Sequence, residues 1–139
     1  MNYLLDTNVL SELRKGPRCD PGVDRWFAQC EDEQLFTSVL CLGEIGMGID
    51  AVRHRDARFA ARLQLWLDYI IDSFEGRILT IDQRIALEWG RVAAPVSRAP
   101  VDELLAATAL IHRMVLVTRN VRDVERSGVQ YLNPFLPIH

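Results

Sequence analysis

Four acidic side chains of this sequence stand beside apolar residues instead of in polar surroundings. They are Asp6, Glu44, Asp102 and Asp123. An ionised carboxylate in an apolar setting is costly, so it is normally paired, hydrogen-bonded or bound to a cation. If several converge they repel one another, and a divalent cation removes that conflict. Oxygen ligands favour Mg²⁺ or Mn²⁺, which can activate water and neutralise charge developing on a phosphate.

Each acid also has a simpler role open to it. Asp6 could cap the helix that follows it, and Glu44 could face water on its own helix. Asp102 could be an acid favoured by the dipole at a helix start, and Asp123 could pair with a neighbouring arginine. These alternatives weaken when the four acids are taken together, because at least two are expected at the same edge of one sheet.

Histidine and cysteine add no recognisable ligand pattern. The histidines have no ligand-like spacing and are expected at the surface or with satisfied hydrogen bonds; they are His54, His112 and His139. The cysteines are odd in number, match no metal or redox spacing and are expected to be ordinary reduced thiols; they are Cys19, Cys30 and Cys41. No glycine-rich phosphate loop is present, which argues against nucleotide binding by that route.

The elements that must position the acids start with the first strand. Residues 2–5 are apolar and of strand type, and they run directly into Asp6 and then into a helical pattern. Asp6 is therefore expected at the carboxyl end of a strand, the edge where α/β sheets bind ligands. The hydroxyl of Thr7 is predicted to cap the helix that follows.

Strand and helix patterns alternate along the rest of the chain. Further strands are predicted at 35–39, 77–80, 114–118 and 129–132. Helices are predicted at 38–50, 53–74 and 102–112. The second is the clearest and has an arginine face at Arg53, Arg55, Arg58 and Arg62. This alternation predicts an α/β fold, a central and mostly parallel sheet with helices on both faces. The length of 139 residues fits one domain, residues 1–139.

Composition narrows the class of protein. Hydrophobic residues make up 49% of the chain, so disorder is unexpected, and the net charge of −3 argues against a general nucleic-acid coat protein. Lys15 is the only lysine among 16 basic residues. The many arginines could mark contact with RNA, since the planar guanidinium binds phosphate well. They could also reflect the base composition of the genome. No apolar run reaches the length of a membrane span and no signal-peptide pattern is seen, so a cytoplasmic protein is expected.

Four segments, in order, resemble the motifs of a known family. They are YLLDTNVLSE at 3–12, TSVLCLGEI at 37–45, DELLAATA at 102–109 and VTRNVRD at 117–123. Together they resemble PIN-domain proteins, in particular the VapC-type toxins of bacterial toxin–antitoxin pairs. The resemblance implies a central parallel sheet, an acidic pocket holding Mg²⁺ or Mn²⁺, and metal-dependent cleavage of RNA phosphodiesters. It also implies a homodimer that a cognate antitoxin neutralises.

The resemblance assigns roles by position. Asp6 and Asp102 would be metal ligands, Glu44 would complete the metal site or orient the attacking water, and Asp123 would be the fourth acid. The polar neighbours would shape the pocket: Thr7 and Asn8 would hold it, and Thr118 and Asn120 would line it.

Three places depart from the family pattern. Gly46 and Met47 stand where the family often has a basic residue, Val124 stands where Phe is usual, and Arg113 stands where Gly is common. None of these changes removes a pocket acid. The missing basic residue leaves open how RNA or an antitoxin segment is held near Glu44.

Two alternative functions remain for comparison. Strand–Asp–Thr also opens phosphatases and receiver domains that carry phosphate on Asp, but those use a lysine from a later strand and this chain has only Lys15. The phosphatase pattern also needs an acid where Asn8 stands. The other alternative is a non-catalytic PIN-like module that acts by binding partners, which the absence of a net basic charge keeps open.

Overall fold

The sheet of the protein has five strands that pair in parallel, in the order β3-β2-β1-β4-β5. This is a computed structural model that describes residues 1–137, so His139 lies outside the described residues. The strands are β1 (Tyr3–Leu5), β2 (Leu35–Ser38), β3 (Ile78–Leu79), β4 (Val115–Val117) and β5 (Tyr131–Leu132). The strand order reverses at β1, which pairs with β2 on one side and β4 on the other.

Two α-helices fill each of the first three connections between the strands. They are α1 (Thr7–Leu13), α2 (Pro21–Ala28), α3 (Val39–Arg53), α4 (Ala57–Ser73), α5 (Gln83–Val92) and α6 (Pro100–His112). Helix α3 packs on α4, and α5 packs on α6. Because parallel crossovers are right-handed, these two groups cover opposite faces of the sheet. The predicted α/β fold is confirmed.

The core lies around the central strands. Leu4, Leu5, Leu116 and Val117 are fully buried. Helices cover both faces of a parallel sheet, so its central strands are apolar on both sides instead of alternating. This explains why β1 and β4 appear in the sequence as short continuous apolar runs that end in a polar residue.

The helix predicted at 53–74 begins later in the structure. Helix α3 continues to Arg53, and α4 starts at Ala57 because the Asp56 carboxylate accepts a hydrogen bond from the Phe59 backbone N–H at 3.0 Å. The predicted arginine face is therefore divided between two helices and the turn that joins them. Arg53 forms an ion pair with Asp50 on α3.

Within residues 1–137, the helices are too short or too polar for any of them to cross a lipid bilayer.

Candidate metal centre

Asp6 lies where the sheet order reverses, between the carboxyl ends of β1 and β4. Its backbone N–H donates to the Val117 carbonyl at 3.0 Å, which ties the end of β1 to β4. The Thr118 hydroxyl, just past β4, donates to Asp6 Oδ2 at 2.8 Å, and Asn8 Nδ2 donates to the same oxygen at 3.3 Å. With a side chain that is 3% exposed, Asp6 is a buried carboxylate with a fixed orientation.

Asp6, and not Thr7, caps helix α1. Asp6 Oδ1 accepts a hydrogen bond from the Thr7 backbone N–H at 2.7 Å. The prediction that Thr7 caps this helix is wrong, because Asp6 occupies the cap position and Thr7 is already the first helical residue. The Thr7 hydroxyl instead donates to Glu44 Oε1 at 2.7 Å. Thr7 therefore connects two acids that are 38 positions apart in the sequence.

Glu44 reaches the site from helix α3. The Ser38 hydroxyl accepts from the Leu40 backbone N–H at 3.1 Å and starts α3 directly after β2, at the same edge of the sheet as Asp6. Glu44 is half-buried. Burial raises the pKa of Asp6, and the charge of Glu44 raises it further. The two carboxylates therefore face a shared space and repel each other there.

Asp102 and Asp123 complete the acidic group. Asp102 is half-buried in the first turn of α6, and Asn120 Nδ2 lies 3.5 Å from its Oδ2. Desolvation raises the pKa of Asp102 to about 7, with further contributions from the charges of Asp6, Asp123 and Glu44. Asp123 is exposed, and its charge and a side-chain hydrogen bond contribute to the raised pKa of Asp102. The structure thus brings all four acids singled out in the sequence to one place.

Cys41 also lies among these acids, a position that the spacing of the cysteines does not predict. Its sulfur and one oxygen each of Asp6 and Glu44 lie within 4.8 Å of one another. The available signal was its position three residues before Glu44, which places both side chains on one face of α3. Burial raises the pKa of Cys41 to about 11, and its thiol donates to the Leu5 carbonyl at 3.6 Å. Cys41 is therefore a neutral thiol that closes the floor of the site.

The donor set fits a hard divalent cation. Burial raises the pKa of Asp6, despite the opposing hydrogen bonds from Thr118, Thr7 and Asn8. Two carboxyl groups with raised pKa values, next to two further acids, mark a site where negative charge lacks a counter-charge. Carboxylate oxygens are the ligands that Mg²⁺ and Mn²⁺ prefer, whereas a thiol in its neutral form does not compete for them.

The polar neighbours of the acids hold one another as well. Asn8 Oδ1 accepts from the Arg119 backbone N–H at 3.2 Å, and the Thr118 hydroxyl accepts from the Asn120 backbone N–H at 3.0 Å. The loop after β4 is thereby fixed against the loop after β1. The crevice between these two loops lies at the switch point of the sheet, the usual ligand site of open α/β folds.

Comparison with known proteins agrees with this geometry. The sequence model of the PIN-domain family matches residues 3–126 of this chain. The VapC ribonuclease Y4jK of Sinorhizobium fredii is 28% identical over 141 residues, covering 96% of this chain and 98% of that protein. The toxin FitB of Neisseria gonorrhoeae is 26% identical over 137 residues, covering 95% of this chain and 97% of that protein.

A solved structure with the same fold is FitAB bound to an IR36 DNA fragment. It superposes with a TM-score of 0.85 at 26% identity and covers 99% of this chain and 98% of the matched chain. The superposed region therefore includes all five strands of this chain and the positions of its four acids. The chain belongs to the PIN-domain family and resembles its VapC-type toxins over its whole length.

Proposed function

We propose that the protein is a Mg²⁺-dependent endoribonuclease that acts as the toxin of a toxin–antitoxin pair. The observation that carries this proposal is the convergence of Asp6, Glu44, Asp102 and Asp123 at the switch point of a PIN-domain sheet, with the pKa of Asp102 raised to about 7. The name of the VapC ribonuclease relative supports RNA as the substrate.

Asp6 and Asp102 hold the ion, and Glu44 completes the site; Mn²⁺ is a possible substitute for Mg²⁺. When bound, the ion neutralises the acids and makes water a stronger nucleophile toward a phosphodiester. Asp6 is held in its orientation by Thr118 and Asn8, so this ligand is ordered before the ion arrives.

Glu44 and Asp123 orient the reacting groups at the site. One oxygen of Glu44 accepts from Thr7, which leaves its other oxygen to complete the metal site or to orient the attacking water. Asp123 is exposed beside Asp102, at the mouth of the site, where it orients water or the leaving oxygen. Cys41, as a neutral thiol, keeps the floor of the site free of further charge.

The toxin assignment includes two partners, a cognate antitoxin and a second copy of the chain. The matched FitAB structure supports a protein partner, because it is itself a complex. An apolar groove of about 670 Å³ between α1, α2 and α4 offers a surface for an apolar antitoxin segment. Tyr69, which is 67% exposed, and Phe27 stand at this groove.

The test compares purified parent protein with Asp6→Asn and Asp102→Asn variants. Each variant should lose Mg²⁺-dependent RNA cleavage by at least roughly a hundredfold, because loss of a ligand should cost more than loss of a group that orients one. Circular dichroism should show a folded chain in both variants. Asp72→Asn, which changes an exposed aspartate on α4, is the charge-matched control and should cleave like the parent.

A variant of Asp6 or Asp102 that cuts RNA at the parent rate would refute the proposal. Sequencing of RNA ends after induction in cells, beside the Asp6→Asn control, would identify which RNA is cut.

A non-catalytic binding module is the second candidate. It is favoured by the net charge of −3 and by Met47, which is 72% exposed on α3 where related proteins often carry a basic residue. Titration with Mg²⁺ separates the two candidates: absence of binding at millimolar concentration would favour the module.

A further inference from the structure

The segment after β5 returns to the site edge of the sheet and is fastened there by Asp20. The Asp20 Oδ2 atom accepts three backbone N–H groups, from Gly22 at 2.9 Å, Val23 at 3.1 Å and Leu136 at 3.2 Å. A Cβ atom at Gly22 would lie 2.3 Å from the Pro134 carbonyl oxygen, so this close approach requires glycine. The chain near residue 135 is therefore held in a defined place.

Arg119 lies between this segment and the acids. Its guanidinium carbon lies 4.6 Å from the centre of the Phe135 ring. Its backbone N–H donates to Asn8 Oδ1 at 3.2 Å, and the amide of Asn8 donates to Asp6 Oδ2 at 3.3 Å. Both ends of Arg119 are thus fixed relative to the candidate metal centre: the backbone through Asn8 and the side chain through Phe135.

The guanidinium of Arg119 keeps its hydrogen-bond donors available. Arg119 is exposed, and among residues 1–137 its side chain forms neither a hydrogen bond nor an ion pair. The backbone hydrogen bonds that Asp20 accepts lower its pKa against the effect of desolvation, and the charge of Arg119 adds to this lowering without an ion pair between the two side chains. A guanidinium carries five N–H donors in a planar fork that fits a phosphate.

Other arginines differ in what they contact. Arg53 and Arg91 form ion pairs with acids, and the guanidinium of Arg77 donates to three backbone carbonyls. Arg14 and Arg62 also stack on aromatic rings, but they do so at the end of α1 and on α4, away from the loop that follows β4.

We propose that Arg119 binds a backbone phosphate of the RNA strand, next to the phosphate that is cut, and that Phe135 is its positioning residue. This inference rests on the proposed ribonuclease function. An acidic centre repels RNA, so a cation must hold the strand from outside the ligand set. Arg119 is fixed against Phe135 and forms no ion pair with the four acids among residues 1–137, so it lies outside the proposed ligand set, where it would meet a neighbouring phosphate. Stacking on Phe135 restricts the side chain beforehand.

The test is Arg119→Gln, with Arg91→Gln as the matched control. Both remove one positive charge, but Arg91 pairs with Glu88 in the last turn of α5. Arg119→Gln should raise KM for RNA roughly tenfold, with kcat little changed, and to a similar extent for different RNA sequences. In an Asp6→Asn background that binds without cutting, the salt slope of log Kd should fall by about 0.7, the value for one single-strand phosphate contact. Arg91→Gln should leave KM and the salt slope at parent values.

Two further variants test the arrangement. Arg119→Lys should keep the salt slope and lose part of the affinity, because a lysine lacks the planar fork. Phe135→Leu removes the aromatic ring and should raise KM for RNA. Phe135→Tyr keeps the ring and should leave KM at the parent value.

The outcomes separate the two proposals. If the parent cuts RNA while Arg119→Gln leaves KM and the salt slope unchanged, or lowers kcat alone, the assignment of Arg119 is overturned. If the parent cuts no RNA, the proposed function fails, whereas the salt slope of RNA binding still decides the role of Arg119.

Discussion

At the scale of single residues, the site depends on carboxylates held where their charge is poorly compensated. Desolvation and the charge of Glu44 raise the pKa of Asp6, while hydrogen bonds from Thr118, Thr7 and Asn8 lower it, and the net shift is upward. The hydrogen bonds therefore orient Asp6 without fully stabilising its charge. This leaves a carboxylate that is ordered and favours a cation.

The raised pKa of Asp102 predicts how metal binding depends on pH. The pKa is about 7 in the folded chain without metal and has an ordinary value of 3.8, so the fold disfavours the charged form. The metal-free fold should therefore lose stability as pH rises from about 4 through about 7. In the proposed site Mg²⁺ would bind this carboxylate in competition with the proton, so its affinity should be roughly tenfold weaker at pH 6 than at pH 8.

Titration calorimetry with Mg²⁺ at both pH values measures this effect. Repeating the pH 6 titration in two buffers of different ionisation enthalpy should reveal release of protons on binding. Equal affinity at the two pH values, with no proton release, would contradict the raised pKa of Asp102.

At the scale of elements, the ends of helices decide where the acids lie. The end of β1 becomes the cap of α1 at Asp6, and the end of β2 becomes the cap of α3 at Ser38. Asp102 and Glu103 are adjacent in the first turn of α6, but their side chains have different partners. Glu103 is buried and accepts hydrogen bonds from the Ala94 backbone N–H and the Ser97 hydroxyl, so it holds the preceding loop. Asp102, one residue earlier on the same helical turn, faces the candidate metal centre instead.

The other end of α6 carries a strained residue. Arg113 has φ 56° and ψ 45°, the left-handed conformation, which a non-glycine residue adopts at a cost. Arg113→Gly should raise the free energy of unfolding by about 1 kcal/mol, because relief of this strain outweighs the greater freedom of glycine in the unfolded chain. Chemical denaturation measures the change.

Arg113→Ala is the matched control, since it removes the same side chain and keeps the Cβ atom. It should bring no comparable gain in stability. A gain of equal size in both variants would attribute the effect to the arginine side chain and not to the backbone.

At the scale of the whole molecule, Arg77 joins parts of the chain that local patterns do not connect. Its guanidinium donates to the backbone carbonyls of Asp32, Leu35 and Ser73, each at 2.6 Å, and lies over the Phe74 ring. These contacts join the end of α4 to the start of β2. Arg77→Ala should lower the free energy of unfolding by about 2 kcal/mol, because hydrogen bonds from a charged donor are lost and a carbonyl loses its partner.

Thermal and denaturant unfolding measure this loss, with Arg91→Ala as a surface control expected to change stability by under about 0.5 kcal/mol. Arg77→Lys should fall between the two, since a single ammonium cannot span the three carbonyls as the fork does. Parent-like stability of Arg77→Ala would show that these contacts add little to the fold.

The sequence alone was sufficient for the features that depend on local patterns. Apolar runs ending in a polar residue identified the strands, and their alternation with helices identified the α/β class. Asp6, Glu44, Asp102 and Asp123 stood out because each lies beside apolar residues. The family resemblance was also carried by short contiguous motifs.

Only the tertiary structure decided which groups meet and in what chemical state. The sequence predicts that the Thr7 hydroxyl caps its own helix, but Asp6 occupies the cap position and the Thr7 hydroxyl donates to Glu44, which only folding brings near. The contacts of Cys41 with Asp6 and of Phe135 with Arg119 also depend on folding, since in each pair the two residues are distant in the chain. A pKa near 7 for Asp102 depends on burial and on the distances to other charges, and these quantities exist only after the chain has folded.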